Sequence, residues 1–184
     1  LSNQFSHHKN HQVVFEAVKL LRDRGRKVCV ACTGSKWGFR GPDYFEGLMA
    51  YRAANGLEDA ILILGSLPRE EQVALLRASC GILQPSLFEG WSTTVEDART
   101  LGKRLVASAI PVHEEQLRGT GARLVPARDA EAWAETILTE WDASRPGPDV
   151  EAEAAGLRST WRRAEEVGRT FLAILREGAA EAAR

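Results

Sequence analysis

The sequence predicts an α/β fold, in which an open parallel sheet carries helices on both of its faces. Short apolar segments of strand length alternate with longer amphipathic segments, and the connections between them are short. Residues 61–64 form a continuous apolar run, which is typical of a strand buried on both faces of a parallel sheet. The 184 residues suffice for a single domain with a full hydrophobic core.

The strands and helices are predicted from apolar periodicity and from turn residues. In chain order they are a helix at 10–24, a strand at 28–33, a helix at 43–54, a strand at 61–64, a helix at 68–78, a strand at 81–84, a helix at 93–101, a strand at 104–108, a short helix, a strand at 122–125, a helix from 129, and a last helix at 150–175.

Local signals set several helix ends. Asn10 is predicted to cap the first helix and Gly25 to end it, while Asp129 caps the helix that follows it. Pro111 suits the first position of the short helix. Three tryptophans are expected in the core or between helices: Trp133, Trp141 and Trp161.

Residues 1–143 are predicted to form one domain, and residues 144–184 a linker and a C-terminal helix that packs on the same domain. The chain opens close to a strand-to-helix loop. It leaves no room for the first strand that such a sheet would have. We therefore expect it to be a piece of a longer polypeptide.

Composition excludes several classes of function. The chain is 44% hydrophobic and 27% charged, with 24 basic and 25 acidic residues. This balance excludes intrinsic disorder and gives no bulk attraction to nucleic acid or anionic lipid. No apolar run approaches the roughly 20 residues of a transmembrane helix, and residues 1–10 lack the pattern of a signal peptide. We expect a cytoplasmic protein without a nucleic-acid partner or a transmembrane segment, and peripheral attachment to a membrane stays open for a longer polypeptide.

The cysteines and histidines do not predict a redox or metal site. Three cysteines are too few for a disulfide framework, and Cys29 and Cys32 lie three residues apart on a strand, where side chains point to opposite faces. His7, His8 and His11 have no cysteine or third acidic ligand near them in sequence. We therefore expect no metal and no cofactor.

Two loops are predicted at the carboxyl ends of strands, where ligands bind in open parallel sheets. Lys9 lies directly before the first helix, and a cation beside free helix N–H groups suits phosphate. Gly34 follows the strand at 28–33, where a small residue lets a ligand approach the backbone closely. His113, beyond a later strand, is expected at the surface or the edge of the cleft.

A third loop, residues 84–97, carries the most chemistry. Glu89 follows the end of a strand, and Gly90 permits a tight turn. Ser92, Thr93 and Thr94 then open a helix whose N–H groups favour an anion such as a diphosphate. A carboxylate is misplaced beside a phosphate, so Glu89 is better suited to accept hydrogen bonds from hydroxyl groups attached to that phosphate.

The helix after this loop separates two acidic residues. At about 100° per residue, Asp97 lies at the edge of the buried stripe and Glu96 nearly opposite to it. Asp97 is therefore the better candidate for a ligand contact and Glu96 for a solvated charge. Trp37 and Trp91 are expected in loops, where an exposed aromatic ring indicates packing on a ligand or partner.

The ordered set of motifs resembles the donor-binding half of group 1 glycosyltransferases. Residues 85–91 (Pro-Ser-Leu-Phe-Glu-Gly-Trp), 96–98 (Glu-Asp-Ala) and 101–103 (Leu-Gly-Lys) are similar to that family's Pro-Ser, Glu-Gly-Phe-Gly, second-Glu and Gly-Lys motifs. Further similar segments lie along nearly the whole chain, at 9–10, 33–34, 64–67 and 121–126. The resemblance implies a retaining enzyme of the GT-B architecture, in which this chain is one of two facing Rossmann-like domains.

The resemblance also implies roles for individual residues. Lys9 and the backbone of Ser92, Thr93 and Thr94 would bind the donor diphosphate, and Glu89, the candidate catalytic residue, would bind the hydroxyls of the transferred sugar. Asp97 would accept from the ribose, and Ser66 and Leu67 would border the base. The full set of implied donor-binding residues is Lys9, Gly34, Ser66, Leu67, Gly90, Trp91, Ser92, Thr93, Thr94 and Asp97.

The sequence departs from the family pattern at three places. Asp97 stands where the family has Glu, so its reach is one methylene shorter, and Trp91-Ser92 replaces Phe-Gly. An arginine expected a few residues before Lys9 has no counterpart, so phosphate neutralisation rests on Lys9, with His7 or His8 as helpers.

Two functions remain open at this stage. The first is the nucleotide-sugar-binding domain of a retaining glycosyltransferase that moves a hexosyl unit from a nucleoside diphosphate sugar to an acceptor hydroxyl. A missing N-terminal domain would hold the acceptor. The second is a non-catalytic module that binds a nucleotide sugar or belongs to an assembly. A nicotinamide-dependent oxidoreductase is excluded because no G-x-G-x-x-G follows a strand.

Overall fold

The computed structural model describes residues 1–36 and 43–182. It contains five strands and seven α-helices within those ranges, and a single 3₁₀ turn at His7–Lys9. In chain order they are α1 (His11–Asp23), β1 (Val30–Thr33), α2 (Asp43–Ala54), β2 (Ile61–Gly65), α3 (Arg69–Ala78), β3 (Ile82–Gln84), α4 (Thr93–Thr100), β4 (Leu105–Ser108), α5 (Pro111–Gln116), β5 (Arg123–Val125), α6 (Ala130–Asp142) and α7 (Val150–Ala182).

All strand pairs are parallel, and helices flank them, as the sequence predicts. β1 pairs with β2, and β3, β4 and β5 form a second group in that order. Every connection along the chain passes through a helix, which parallel pairing requires.

The first residues of the chain lie beside β1. Ser2 bridges to Thr33 in parallel, and the amide of Asn3 donates to the carbonyl oxygen of Thr33 at 3.0 Å. The amide of Thr33 in turn donates to the carbonyl oxygen of Leu1 at 3.0 Å. Leu1–Asn3 therefore runs beside β1 as a short extended segment.

The main core forms where α1 and α6 pack together over the strands. The predicted apolar stripe of α1 is fully buried, and so are Phe15 beside it and Trp133 of α6. Trp133 also donates its indole N–H to the carbonyl oxygen of Pro126. A smaller core joins Val95 and Ala98 of α4 to β3 and β4.

The strand at 61–64 is not buried on both faces. Side chains alternate along β2, so Ile61 is fully buried while Leu62 and Leu64 are 39% and 42% exposed. Among the described residues β2 pairs only with β1, which makes it an edge strand. A continuous apolar run does not distinguish an edge strand from a central one.

The predicted caps are confirmed at one helix and wrong at another. The carboxylate of Asp129 accepts from the amide of Ala132 at 3.0 Å and so caps α6, and Pro111 opens α5. Asn10 has a left-handed backbone and makes no side-chain cap. Its amide group instead donates to the carbonyl oxygens of Pro85 and Ala127, which ties α1 to the ends of two strands.

The C-terminal helix α7 packs against α4 through its first turns. The hydroxyls of Thr100 and Thr160 lie 3.0 Å apart at this contact. Trp161 is 66% exposed, so the prediction of a core or inter-helix tryptophan is wrong there. No helix among the described residues is long and apolar enough to span a membrane.

Candidate functional site

Lys9 and Glu89 meet at the carboxyl end of β3. The ammonium of Lys9 donates to Oε1 of Glu89 at 2.6 Å, and the two side chains are only 18% and 8% exposed. They are eighty residues apart in sequence, and the 3₁₀ turn before α1 delivers Lys9 to the loop after β3. The turn is held there because the amide of Leu87 donates to the carbonyl oxygen of His8 at 2.7 Å.

Two further donors fix the same carboxylate oxygen. Gln84 Nε2 and Ser86 Oγ each lie 2.7 Å from Oε1 of Glu89. Gln84 is fully buried and accepts from Asn3 Nδ2 at 2.8 Å. The side chain of Gln84 therefore links the segment beside β1 to the carboxylate of Glu89. These donors hold Glu89 in one orientation and leave its second oxygen to other partners.

A polar cavity of about 190 Å³ lies beside this network, at the carboxyl ends of β1 and β2. It brings together three of the residues implied to bind the donor, namely Gly34, Ser66 and Leu67. The remaining lining comes from Ser2, Asn3, Gln4, Thr33 and Gln72.

The structure shows a different reason for glycine at position 34 from the one that the sequence predicts. A Cβ built on Gly34 would lie 2.1 Å from the carbonyl oxygen of Asn3, and the residue has a φ of 137°. Close approach of the chain's own backbone therefore requires glycine here, whereas the sequence suggested close approach of a ligand. Gly34 still lines the cavity.

The start of α4 offers fewer backbone donors than expected. The side chain of Ser92 caps the helix by accepting from the amide of Val95. The amide of Ser92 donates to Gln116 Oε1 at 3.1 Å, so it is already used within the protein. Thr93 and Thr94 lie in the first turn, where amides have no intrahelical acceptor. The anion-binding capacity of this helix start therefore rests on these two residues.

Asp97 is held by an arginine that the sequence did not identify. Arg69, the first residue of α3, donates to both carboxylate oxygens of Asp97 at 2.7 and 2.5 Å. The same guanidinium lies 3.0 Å from Oε1 of Gln72, a residue of the cavity wall. Asp97 is thus one half of a bidentate ion pair, and Arg69 links it to the cavity wall at Gln72.

Glu96 is not the solvated charge that the helical geometry predicted. Its carboxylate accepts from Gln116 Nε2 at 3.2 Å and from Arg163 of α7 at 3.3 Å. Arg99 lies 3.3 Å away on the same helix. Glu96 therefore links α4 to α5 and α7 and has a structural role.

His7 and His8 are exposed, whereas His11 and His113 are buried. His113 is fully buried, and Nδ1 of its ring lies 2.9 Å from the carbonyl oxygen of Ser108, so the prediction of a surface or cleft-edge residue is wrong. Burial lowers its pKa. His11 is also fully buried, stacks on Phe5 with ring centroids 4.4 Å apart, and has a pKa lowered to about 3 by burial. His7 packs against the ring of Tyr44.

Gly90 and Trp91 lie in the loop between β3 and α4, and both are exposed. The ring of Trp91 is 53% exposed, which leaves it available to a ligand or partner. Trp37 lies outside the described residues. Cys29 is exposed and Cys32 buried, so the two cysteines face opposite sides of the strand as predicted.

Comparison with protein families gives one clear match. The model of the family described as "Glycosyl transferases group 1" matches residues 1–140. Among curated protein sequences, no relative matches.

Solved structures share the fold of this chain. HepE of Anabaena, in complex with UDP and glucose, superposes with a TM-score of 0.72 at 19% identity, over 92% of this chain and 46% of HepE. A glycosyltransferase from Rickettsia africae gives 0.71 at 20% identity, over 93% and 46%. Sucrose-phosphate synthase from Thermosynechococcus elongatus gives 0.70 at 18% identity, over 93% and 44%. The chain therefore spans slightly less than half the length of these proteins.

Proposed function

Because the chain belongs to the group 1 glycosyltransferases, we propose that it is the C-terminal, donor-binding domain of a retaining enzyme of that family. The enzyme would transfer a hexosyl unit from a nucleoside diphosphate sugar to an acceptor hydroxyl. One observation carries the proposal: the loops after β1 and β2 line one cavity, and hydrogen bonds through Asn3 and Gln84 join that cavity to the ion pair of Lys9 and Glu89 after β3.

The extended segment Leu1–Asn3 connects these parts. Ser2 accepts from Thr94 Oγ1 through its carbonyl oxygen, and Asn3 donates to Gln84, which holds Glu89. Both Ser2 and Asn3 line the cavity. The cavity wall is therefore hydrogen-bonded to α4 through Ser2, and to the carboxylate of Glu89 through Asn3 and Gln84.

Lys9 supports the proposed binding of a diphosphate. An ammonium has three N–H donors, so Lys9 can keep its bond to Glu89 and still donate to phosphate oxygens. The amides of Thr93 and Thr94 add the positive end of the α4 dipole. These groups would stabilise the charge that builds on the departing nucleoside diphosphate, and this chemistry needs no metal.

Glu89 supports the proposed contact with the sugar. Three donors fix Oε1 and orient the carboxylate, so its other oxygen is placed for hydroxyl groups. Ser66 and Leu67 would face the base, and Asp97 the ribose, with Arg69 setting the direction of that carboxylate. The HepE complexes contain UDP, glucose and UDP-glucose, which makes UDP-glucose the first donor to test.

The acceptor side would come from another domain. The chain spans less than half of the enzymes that it superposes on, so we propose that an N-terminal domain supplies the acceptor site and excludes water. The chain alone would bind the donor weakly and transfer no sugar. We place the enzyme in the cytoplasm.

The test uses a longer polypeptide that carries the N-terminal domain. In that protein we expect Glu89→Gln to lower the turnover of sugar transfer at least tenfold, because the amide removes the negative charge while keeping the shape. Affinity for the nucleoside diphosphate should change little, since Glu89 is assigned to the sugar. The control is Glu96→Gln, a carboxylate that binds α5 and α7. Unchanged turnover in Glu89→Gln would overturn the catalytic assignment.

A second candidate function is supported by two contacts. The amide of Ser92 is taken by Gln116, and both oxygens of Asp97 are taken by Arg69. These contacts occupy groups that would otherwise bind the donor. A non-catalytic module that binds a nucleotide sugar tolerates the loss of such donor contacts better than an enzyme does. The same longer polypeptide distinguishes the two functions, because the module would bind the donor without transferring sugar to any acceptor.

A further inference from the structure

Two aromatic side chains lie exposed in the loop between β3 and α4. Phe88 is 70% exposed and Trp91 is 53% exposed, and they flank Glu89 and Gly90. No other phenylalanine, tyrosine or tryptophan is exposed among the described residues before α7, which are 1–36 and 43–149. An exposed aromatic ring leaves a large apolar surface in water, so two of them within four residues indicate a contact surface. We call Phe88 and Trp91 the aromatic pair.

Hydrogen bonds fix the loop on both sides of the aromatic pair. Before it, the amide of Leu87 donates to the carbonyl oxygen of His8 at 2.7 Å. After it, the buried side chain of Gln116 accepts from the amide of Ser92 and donates to the carbonyl oxygen of the same residue, both at 3.1 Å. The backbone that carries both rings is therefore held in place before a ligand arrives, which lowers the entropy cost of binding.

The aromatic pair lies outside the donor cavity. Neither ring lines the polar cavity at the carboxyl ends of β1 and β2. Between the rings, the side chain of Glu89 is nearly buried, and its Oε1 is bonded to Lys9, Gln84 and Ser86. The rings thus lie on the solvent side of this carboxylate. A ligand that contacts them approaches from solvent and not through the cavity.

The groups around the aromatic pair favour a sugar ring over a lipid or a protein surface. A pyranose ring has C–H groups on its faces and hydroxyl groups around its edge. Aromatic rings suit the faces, and a carboxylate accepts from the hydroxyls. A lipid chain or a packed protein surface needs a contiguous apolar patch. Glu89, Gly90 and the exposed Thr93 interrupt the apolar surface here.

We infer that the aromatic pair binds the pyranose ring of a saccharide acceptor. This chain then supplies one wall of the acceptor subsite, next to Glu89 and facing the part that the proposed N-terminal domain supplies. The assignment rests on the proposed function, because it takes the donor to occupy the polar cavity and the inner side of Glu89. The acceptor hydroxyl would approach the donor sugar from the solvent side, past Phe88 and Trp91.

Titration of the chain with methyl β-D-glucopyranoside, followed by the NMR signals of the indole N–H groups, tests this inference. Trp91→Phe identifies the signal of Trp91, and the signal of Trp161, exposed on α7, is the internal control. Phe88→Ser is compared with Phe171→Ser, which changes an exposed phenylalanine on α7. Each titration is repeated with saturating UDP and with saturating UDP-glucose.

We expect the glucoside to shift the Trp91 signal with a midpoint in the millimolar range, equally with and without UDP-glucose, and to leave Trp161 unchanged. Phe88→Ser should weaken this binding at least threefold, whereas Phe171→Ser should not change it. No shift at Trp91, or equal shifts at Trp91 and Trp161, would overturn the inference. Loss of the effect with UDP-glucose but not with UDP would assign the aromatic pair to the donor sugar, and would also overturn it.

Binding of UDP to the same chain separates this inference from the proposed function, because the proposed diphosphate contacts do not involve the aromatic pair. UDP binding without an effect of the glucoside at Trp91 would overturn the inference alone. An effect of the glucoside without UDP binding would overturn the proposed function, and with it the assignment of the aromatic pair to an acceptor.

Discussion

At the scale of single residues, the site depends on an ion pair that is almost removed from water. Lys9 and Glu89 are 18% and 8% exposed, and deleting either leaves the other charge nearly buried. Gln84 and Ser86 share the carboxylate, so Glu89 retains two donors when Lys9 turns toward a ligand. Conservative variants such as Glu89→Gln are therefore more informative than alanine, because they separate the loss of charge from the loss of folding.

A buried histidine makes stability depend on pH. Burial lowers the pKa of His11 to about 3 in the folded protein, from an ordinary value of 6.5. Between these values the unfolded chain binds a proton that the folded chain does not. The free energy of unfolding therefore falls, by up to about 1.4 kcal/mol per pH unit, as the pH drops below 6.5. Burial of His113 acts in the same direction.

We expect His11→Phe to flatten this dependence between pH 6 and pH 4, because phenylalanine keeps the stacking on Phe5 and has no proton to bind. Urea unfolding at several pH values measures it for both proteins. The carboxylates affect the pH dependence of both proteins equally. The difference between the two stability curves therefore gives the contribution of His11 alone. Parallel curves would show that the buried ring does not control the acid sensitivity.

At the scale of elements, the contact between α4 and α7 depends on a glycine. A Cβ on Gly156 would lie 2.4 Å from the carbonyl oxygen of Arg99 and 2.6 Å from that of Thr100. Gly168 lies on the same helix with nothing within 4 Å of its Cβ position. The same substitution should therefore have opposite effects at the two positions.

We expect Gly156→Ala to lower the free energy of unfolding by about 1–3 kcal/mol, since α7 must move away from α4. Gly168→Ala should instead raise it by up to about 1 kcal/mol through helix propensity alone. Urea titration followed by circular dichroism measures the free energy of unfolding of both variants. Equal effects of the two changes would mean that α7 does not pack on α4 in solution.

The sequence predicted the position of most elements because apolar periodicity is a local signal. The α1 stripe and the Asp129 cap of α6 are confirmed. The exposed face of β2 and the exposure of Trp161 could not be predicted, because both depend on which element lies next to them. The same is true of Asn10, whose side chain binds two strand ends instead of capping α1.

At the scale of the whole molecule, the order of the loops along the chain predicts which residues form the site. It does not predict the side chains from other helices that bind to those residues. Lys9 and Glu89 meet although they are far apart in sequence, as the topology of an open parallel sheet requires. Arg69 and Gln116 were not predicted, because nothing local marks a helix residue that pairs with another helix. Gln84 was detectable in principle, as a polar residue that ends an apolar strand.

The central claim is that Lys9 binds the diphosphate of a nucleotide donor, and it is tested most directly by isothermal titration of the chain in the presence of a chelator. We expect Lys9→Met, which removes the charge and keeps the length of the side chain, to weaken binding of a nucleoside diphosphate by about 10-fold to 100-fold while binding of the matched nucleoside stays unchanged. The control is Lys19→Met, at an exposed lysine on α1 that pairs with Asp23. Equal losses for diphosphate and nucleoside, or no binding of either by the unaltered chain, would contradict the account.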